Sequence, residues 1–136
     1  MKIYFDGGCR PNPGMMETAV VVRGQLHVRQ EVGAGSSEQA EWLALLHALE
    51  VARATGEHDI LLLGDAAGVI DQAANRAKCR CAELRVLRDR FMEEAALFDR
   101  VRVRHVKRSQ NLAGIALGQL RQGRRIGAKA RLGASE

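Results

Sequence analysis

Residues 3–14 read IYFDGGCRPNPG, and the reading of this stretch decides the rest. Lys2–Asp6 has the apolar and aromatic composition of a strand that closes on an acid. Asp6–Gly14 concentrates glycine, proline and asparagine, which bend the chain or tolerate unusual backbone angles, and is read as a loop or tight turn. A carboxylate at the end of a strand, next to a loop able to approach a ligand, makes Asp6 a candidate site residue.

Working outward, Thr18–Arg23 and Leu26–Val32 are β-branched runs separated by Gly24-Gln25, the pattern of a hairpin. Gly33–Ser37 connects to a helix. Ser36 and Gln39 have the spacing of a capping box, and Leu45, Ala48, Leu49 and Ala52 recur at helical spacing toward Ala54. Thr55–Asp59 is a turn. Ile60–Leu63 is a short unbroken apolar run ended by Gly64-Asp65, the form of a strand covered on both faces in a parallel sheet. Ala66–Asn75 reads as helix, Arg76–Arg80 as a basic connector, and Ala82–Phe98 as a long amphipathic helix. Val101–Val106 alternates like a half-exposed strand, and Asn111–Gln122 is a last helix. The order β-β-β-α-β-α-α-β-α predicts an α/β fold with a mixed five-stranded sheet flanked by helices. Residues 1–122 form the expected domain, and residues 123–136 a basic flexible tail without periodicity.

At 136 residues the chain has room for one domain and one core. The apolar stretches are too short for a transmembrane span, and MKIYFDGG lacks the apolar centre of a secretory signal. Cys9, Cys79 and Cys81 are an odd set with no disulfide spacing, and a lone CxC is too little for a zinc site. A reducing cytoplasm is the expected location. Residues 1–99 hold 11 Lys/Arg against 15 Asp/Glu, whereas residues 100–136 hold 10 against Glu136 alone. That asymmetry favours a polyanionic partner such as nucleic acid over a membrane.

Three acids stand where elements end or begin. Asp6 and Asp65 close strands whose carboxyl ends point the same way if the strands are parallel. Glu41 borders the helix face that must pack on the sheet. Carboxylates brought together repel unless cations neutralise them, and Mg²⁺ takes oxygen ligands in such settings.

IYFDGGCRPNPG, SSEQAEWLALLHALE (36–50) and LLLGDAAGVI (61–70) together resemble the type 1 ribonuclease H family. Members have a strand ending in DG(S/G/A)-x-x-x-NPG, a helix opening with an AE-x-x-A motif and a strand ending in (S/G)D. The likeness runs from residue 1 to about residue 120. It implies an endonuclease that cuts the RNA strand of RNA–DNA hybrids with two Mg²⁺ or Mn²⁺ ions, one activating the attacking water and the other stabilising the leaving 3′ oxygen. The products carry 5′-phosphate and 3′-hydroxyl ends. Asp6, Glu41 and Asp65 are the implied metal ligands. The implied substrate contacts are Cys9, Arg10, Asn12 and Gly14 in the loop, which would reach 2′-hydroxyls in the minor groove, with Ser37 and Gln39 at the helix start. A monomer is expected.

The chain also departs from the family. The last helix usually carries a fourth acid in a pattern like N-x-x-A-D-x-L-A, but residues 110–117 read QNLAGIAL, and no Asp or Glu occurs from Arg100 to Ser135. Matching the asparagines puts Ile115 in the acid's place. Matching the helix start puts Asn111 there, whose amide oxygen can ligate a metal. The second alignment is preferred, with Asn111 as a fourth catalytic ligand. The mobile His that many members have before this helix is absent, a full basic handle has no room, and Asp65 is followed by Ala66-Ala67 rather than Ser-Gln. The alternative function is a ribonuclease-H-fold module that binds nucleic acid with impaired chemistry.

Overall fold

The computed structural model describes residues 1–123; the tail expected beyond Gly123 lies outside the described residues. The elements are β1 (Lys2–Cys9), β2 (Gly14–Val22), β3 (Gln25–Arg29), β4 (Ala34–Gly35), α1 (Ser37–Thr55), β5 (Asp59–Gly64), α2 (Ala67–Ala73), α3 (Ala82–Ala95), β6 (Arg100–His105), a 3₁₀ turn (Arg108–Gln110) and α4 (Leu112–Arg121). The sheet order is β3-β2-β1-β5-β6, with the two-residue β4 pairing to β2 as a sixth strand. Strands β1, β2 and β3 form an antiparallel meander, while β1–β5 and β5–β6 are parallel. The mixed α/β architecture matches the expectation.

Period-two alternation along β1 sorts its side chains between two cores. Ile3 and Phe5 join Trp42, Leu45, Leu49, Ile60, Leu62 and Phe91 in the larger core under α1 and α3. Trp42 and Phe91 meet edge to face, with ring centroids 6.0 Å apart. Tyr4 points the other way, toward Val21, Val28, Ala113 and Leu117 under α4. The two helical layers therefore reach β1 from opposite faces.

Two readings of the chain need correction. Asp6–Gly14 is not a loop throughout: β1 continues to Cys9, paired through Gly7↔Thr18, Gly8↔Glu17 and Cys9↔Met16, and only residues 10–13 turn. Asp6 thus lies inside a strand. The glycine pair serves packing, since a Cβ at Gly7 would lie 2.1 Å from the Ala40 carbonyl oxygen, so α1 can rest on the strand only where no side chain intervenes. The hairpin turns at Arg23 and Gly24, both with positive φ, one residue earlier than expected. The capping box forms as expected: Ser36 accepts from the Gln39 N–H, and Gln39 Oε1 accepts from the Ser36 N–H.

Candidate active site

Strand pairing sets the first two acids side by side. Tyr4 is level with Leu63 in the parallel β1–β5 pair, and carrying that register two residues on places Asp6 level with Asp65, just past β5. Glu41, in the second turn of α1, reaches them across the Gly7 junction, where the Gly7 N–H donates to Glu41 Oε1 at 3.1 Å. One carboxylate oxygen of each residue lies within 4.8 Å of the others. Three acids far apart in the chain meet at the carboxyl end of the parallel strands, where open α/β sheets usually bind ligands.

Burial and repulsion shape their charge. Burial, then the neighbouring Asp65 carboxylate, push Asp6 up to about 7, against the pull of Arg121, Arg108 and the Gly7 N–H. Burial, then Asp6 and Asp65, push Glu41 up to about 9. A group of oxygen donors that retains protons for want of positive charge fits hard divalent cations such as Mg²⁺ or Mn²⁺. Arg108 is a poor substitute: its Nε is 4.0 Å from Asp65 Oδ1, and its side chain is 90% exposed.

Asn111 is fully buried and reaches the acids through its nitrogen. Nδ2 donates to Asp65 Oδ2 at 2.9 Å and to the Phe5 carbonyl at 3.0 Å, while Oδ1 accepts from the Ala113 and Gly114 N–H groups at 3.2 and 3.4 Å. The reverse amide orientation would set donors against donors and acceptors against acceptors, so the network fixes it. The oxygen proposed from sequence as a metal ligand is engaged by the start of α4. Ile115, the rival position, is 41% exposed. The α4 residue that faces the acids is Gly114: a Cβ there would sit 3.4 Å from Asp65 Oδ2 and 3.5 Å from the Asp6 carboxyl. Sequence reasoning missed it, although the alanine before the acid in N-x-x-A-D-x-L-A, matched to Ala113, would have found it.

A cavity of about 380 Å³ holds Asp6, Glu41 and Asp65 together with Arg10, Ser37 and Arg108. A larger one, about 660 Å³, lies between α3 and β6 and contains no group of acids. Of the residues read as substrate contacts, Cys9, Arg10 and Ser37 line the acidic cavity. Asn12 is exposed, and its Oδ1 accepts from the Ser37 N–H at 3.1 Å, tying the loop to the start of α1. Gly14 opens β2, and Gln39 is committed to the capping box, so neither lines that cavity. Arg121, unmarked in the sequence reading, also lines it.

The family described as reverse transcriptase-like matches residues 4–120. A ribonuclease HI of Halobacterium salinarum is 36% identical over 119 residues, which are 84% of this chain but 60% of that protein, so the chain spans less than two thirds of this relative. The crystal structure of RNase H1 from Halobacterium salinarum superposes with a TM-score of 0.79 at 31% identity, over 90% of this chain and 97% of that one. LC11-RNase H1 in complex with an RNA/DNA hybrid shares the fold, with a TM-score of 0.75 at 20% identity over 85% of this chain and 91% of that one. Likeness in sequence and in fold thus extends over nearly all the described residues, and the chain belongs to the type 1 ribonuclease H family.

Proposed function

We propose that the chain is an endonuclease that hydrolyses the RNA strand of RNA–DNA hybrids, leaving 5′-phosphate and 3′-hydroxyl ends. The observation that carries this reading is the convergence of Asp6, Glu41 and Asp65 within 4.8 Å. Asp6, Glu41 and Asp65 would hold two divalent cations, which when bound supply Lewis acidity to the attacking water and to the leaving 3′ oxygen. The chain's own part is to hold these carboxylates. The Gly7 N–H orients Glu41, and the Asn111 amide fixes one Asp65 oxygen, leaving the other for a ligand. Asn111 is a positioning residue on this reading. Arg10 and Ser37 flank the entrance, and Asn12, anchored through its oxygen, has its amide nitrogen for a 2′-hydroxyl.

Three free cysteines support a reducing compartment, taken here as the cytoplasm. Among the described residues no helix is long and apolar enough to cross a membrane. The protein is taken to act as a monomer.

The second reading, a module that binds hybrids without cutting them, is favoured by one observation: glycine stands at position 114, where α4 faces the acids. A hybrid labelled on its RNA strand, incubated with Mg²⁺ or Mn²⁺ beside labelled single-stranded RNA and duplex DNA, separates the two. Cleavage of the hybrid RNA alone supports the endonuclease. Retention of the hybrid with no cleavage in either metal leaves the binding module.

A further inference from the structure

Arg121, the last residue of α4, brings a cation to the acidic cavity. Its Nε donates to Glu17 Oε2 on β2 at 2.5 Å, and the side chain is 21% exposed. Its Nη2 is buried yet has no hydrogen-bond partner among the described residues. A Cβ at Gly8 would lie 2.4 Å from that Nη2, so the guanidinium occupies the space a side chain at position 8 would need. Arg10 and Arg121 line both the acidic cavity and a neighbouring one of about 380 Å³ along β2. Together they flank the passage from the acids to the sheet surface.

A buried guanidinium N–H without an acceptor is costly, and one carboxylate cannot satisfy the whole fork. Glu17 fixes the head while leaving Nη2 unmatched. A phosphate oxygen is the anion whose geometry suits a planar fork and which a nucleic acid would bring to this cavity. Arg108 differs: its side chain is almost wholly exposed, and its contact with Asp65 is a long one, at 4.0 Å.

We propose that Arg121 is a phosphate-binding residue, its part-exposed guanidinium donating to a non-bridging oxygen of the strand being cut, at a linkage beside the acidic cluster. This rests on the hybrid as substrate. Glu17 and Gly8 serve it, the one by anchoring the guanidinium and the other by leaving it room.

The test is hybrid binding measured in EDTA, so that no metal contributes, with single neutral methylphosphonate linkages placed in turn along the RNA strand. For the wild-type protein one linkage near the cleavage position should weaken binding about tenfold. In Arg121→Gln, affinity for the unmodified hybrid should fall by a similar factor, and that linkage should no longer matter. The slope of log K against log salt should drop by about 0.9, the value of one phosphate contact. Arg121→Lys should keep the slope, and Gly8→Ala should copy Arg121→Gln by displacing the guanidinium. Unchanged affinity in a folded Arg121→Gln, or losses that add at every linkage, would overturn the proposal. If that variant does not fold, a wild-type scan with no sensitive linkage overturns it equally. A wild-type protein that neither binds nor cuts hybrids overturns the functional reading as well, whereas one that cuts them while Arg121→Gln binds normally overturns only this inference.

Discussion

Asn111 holds Asp65 by its nitrogen, Nδ2 to Oδ2 at 2.9 Å, while its oxygen caps α4. One amide therefore joins the helix to the acidic cluster, and its two ends are not interchangeable. Asn111→Ala removes a cap, at about 1 kcal/mol, and leaves the buried Phe5 carbonyl without its donor, at about 1–3 kcal/mol more. Asn111→Asp keeps the cap but sets a second carboxylate against Asp65. Its melting temperature should fall below wild type in EDTA and recover on adding Mn²⁺ more than wild type does. Equal melting of Asn111→Asp and wild type in EDTA would show that the nitrogen contact does not matter.

Gly114→Asp should supply the acid that α4 lacks. A Cβ there makes ordinary contacts at 3.4–3.5 Å, and the first turn of a helix favours negative charge. Activity titrated with Mg²⁺ should reach half-maximum at a lower concentration in this variant, while the metal-free protein melts earlier. Ile115→Asp, on an exposed position, should leave the titration unchanged. The reverse result would return the missing acid to position 115.

Asp6→Asn and Asp65→Asn should each abolish cleavage without unfolding the protein, because each removes a charge needed to hold metal. In EDTA the Asp6→Asn protein should be more stable than wild type, since a source of repulsion is gone. Near-normal turnover in either folded variant would contradict the metal assignment.

Without metal, stability should fall as pH rises from 7 to 9. Glu41, raised to about 9, keeps a proton in the folded protein that the unfolded chain has released above its ordinary 4.5, and Asp6, raised to about 7, does so over a lower range. The folded state binds more protons, so its stability is present at low pH and is lost as the pH passes the folded values. His47 has the opposite sign. Buried, with Nδ1 2.9 Å from Thr18 Oγ1, it is held down to about 3, and its contribution is lost as pH falls below its ordinary 6.5. The window above pH 7 isolates the acids. Urea midpoints at pH 7, 8 and 9 should decline in EDTA and flatten in Mn²⁺. A flat profile in EDTA would refute the raised values.

What was legible in the sequence was what neighbours in the chain decide. The Ser36–Gln39 box lies within one turn, and Ile60–Leu63 declares a buried strand by its own composition. Gly7 and Gly8 misled because they resemble turn formers, whereas their absent side chains make room for Ala40 and Arg121, contributed by distant helices. Asn111 was marked as a metal ligand through its oxygen, but its orientation is set by Phe5 and Asp65, 106 and 46 residues away. The acids were marked one by one; their meeting required the β1–β5 register and the α1 crossing.

The Gly7–Ala40 junction has a consequence for how such a site can change over time. The gap between Asp6 and Glu41 is gauged by main chain resting on main chain, so side-chain replacement in the core beneath can proceed without altering it. Mutations that enlarge or shrink the core shift the helix only as far as that stop allows. Ligand spacing is thereby buffered against drift in the core, and the position least free to drift is the glycine, which acts by having no side chain.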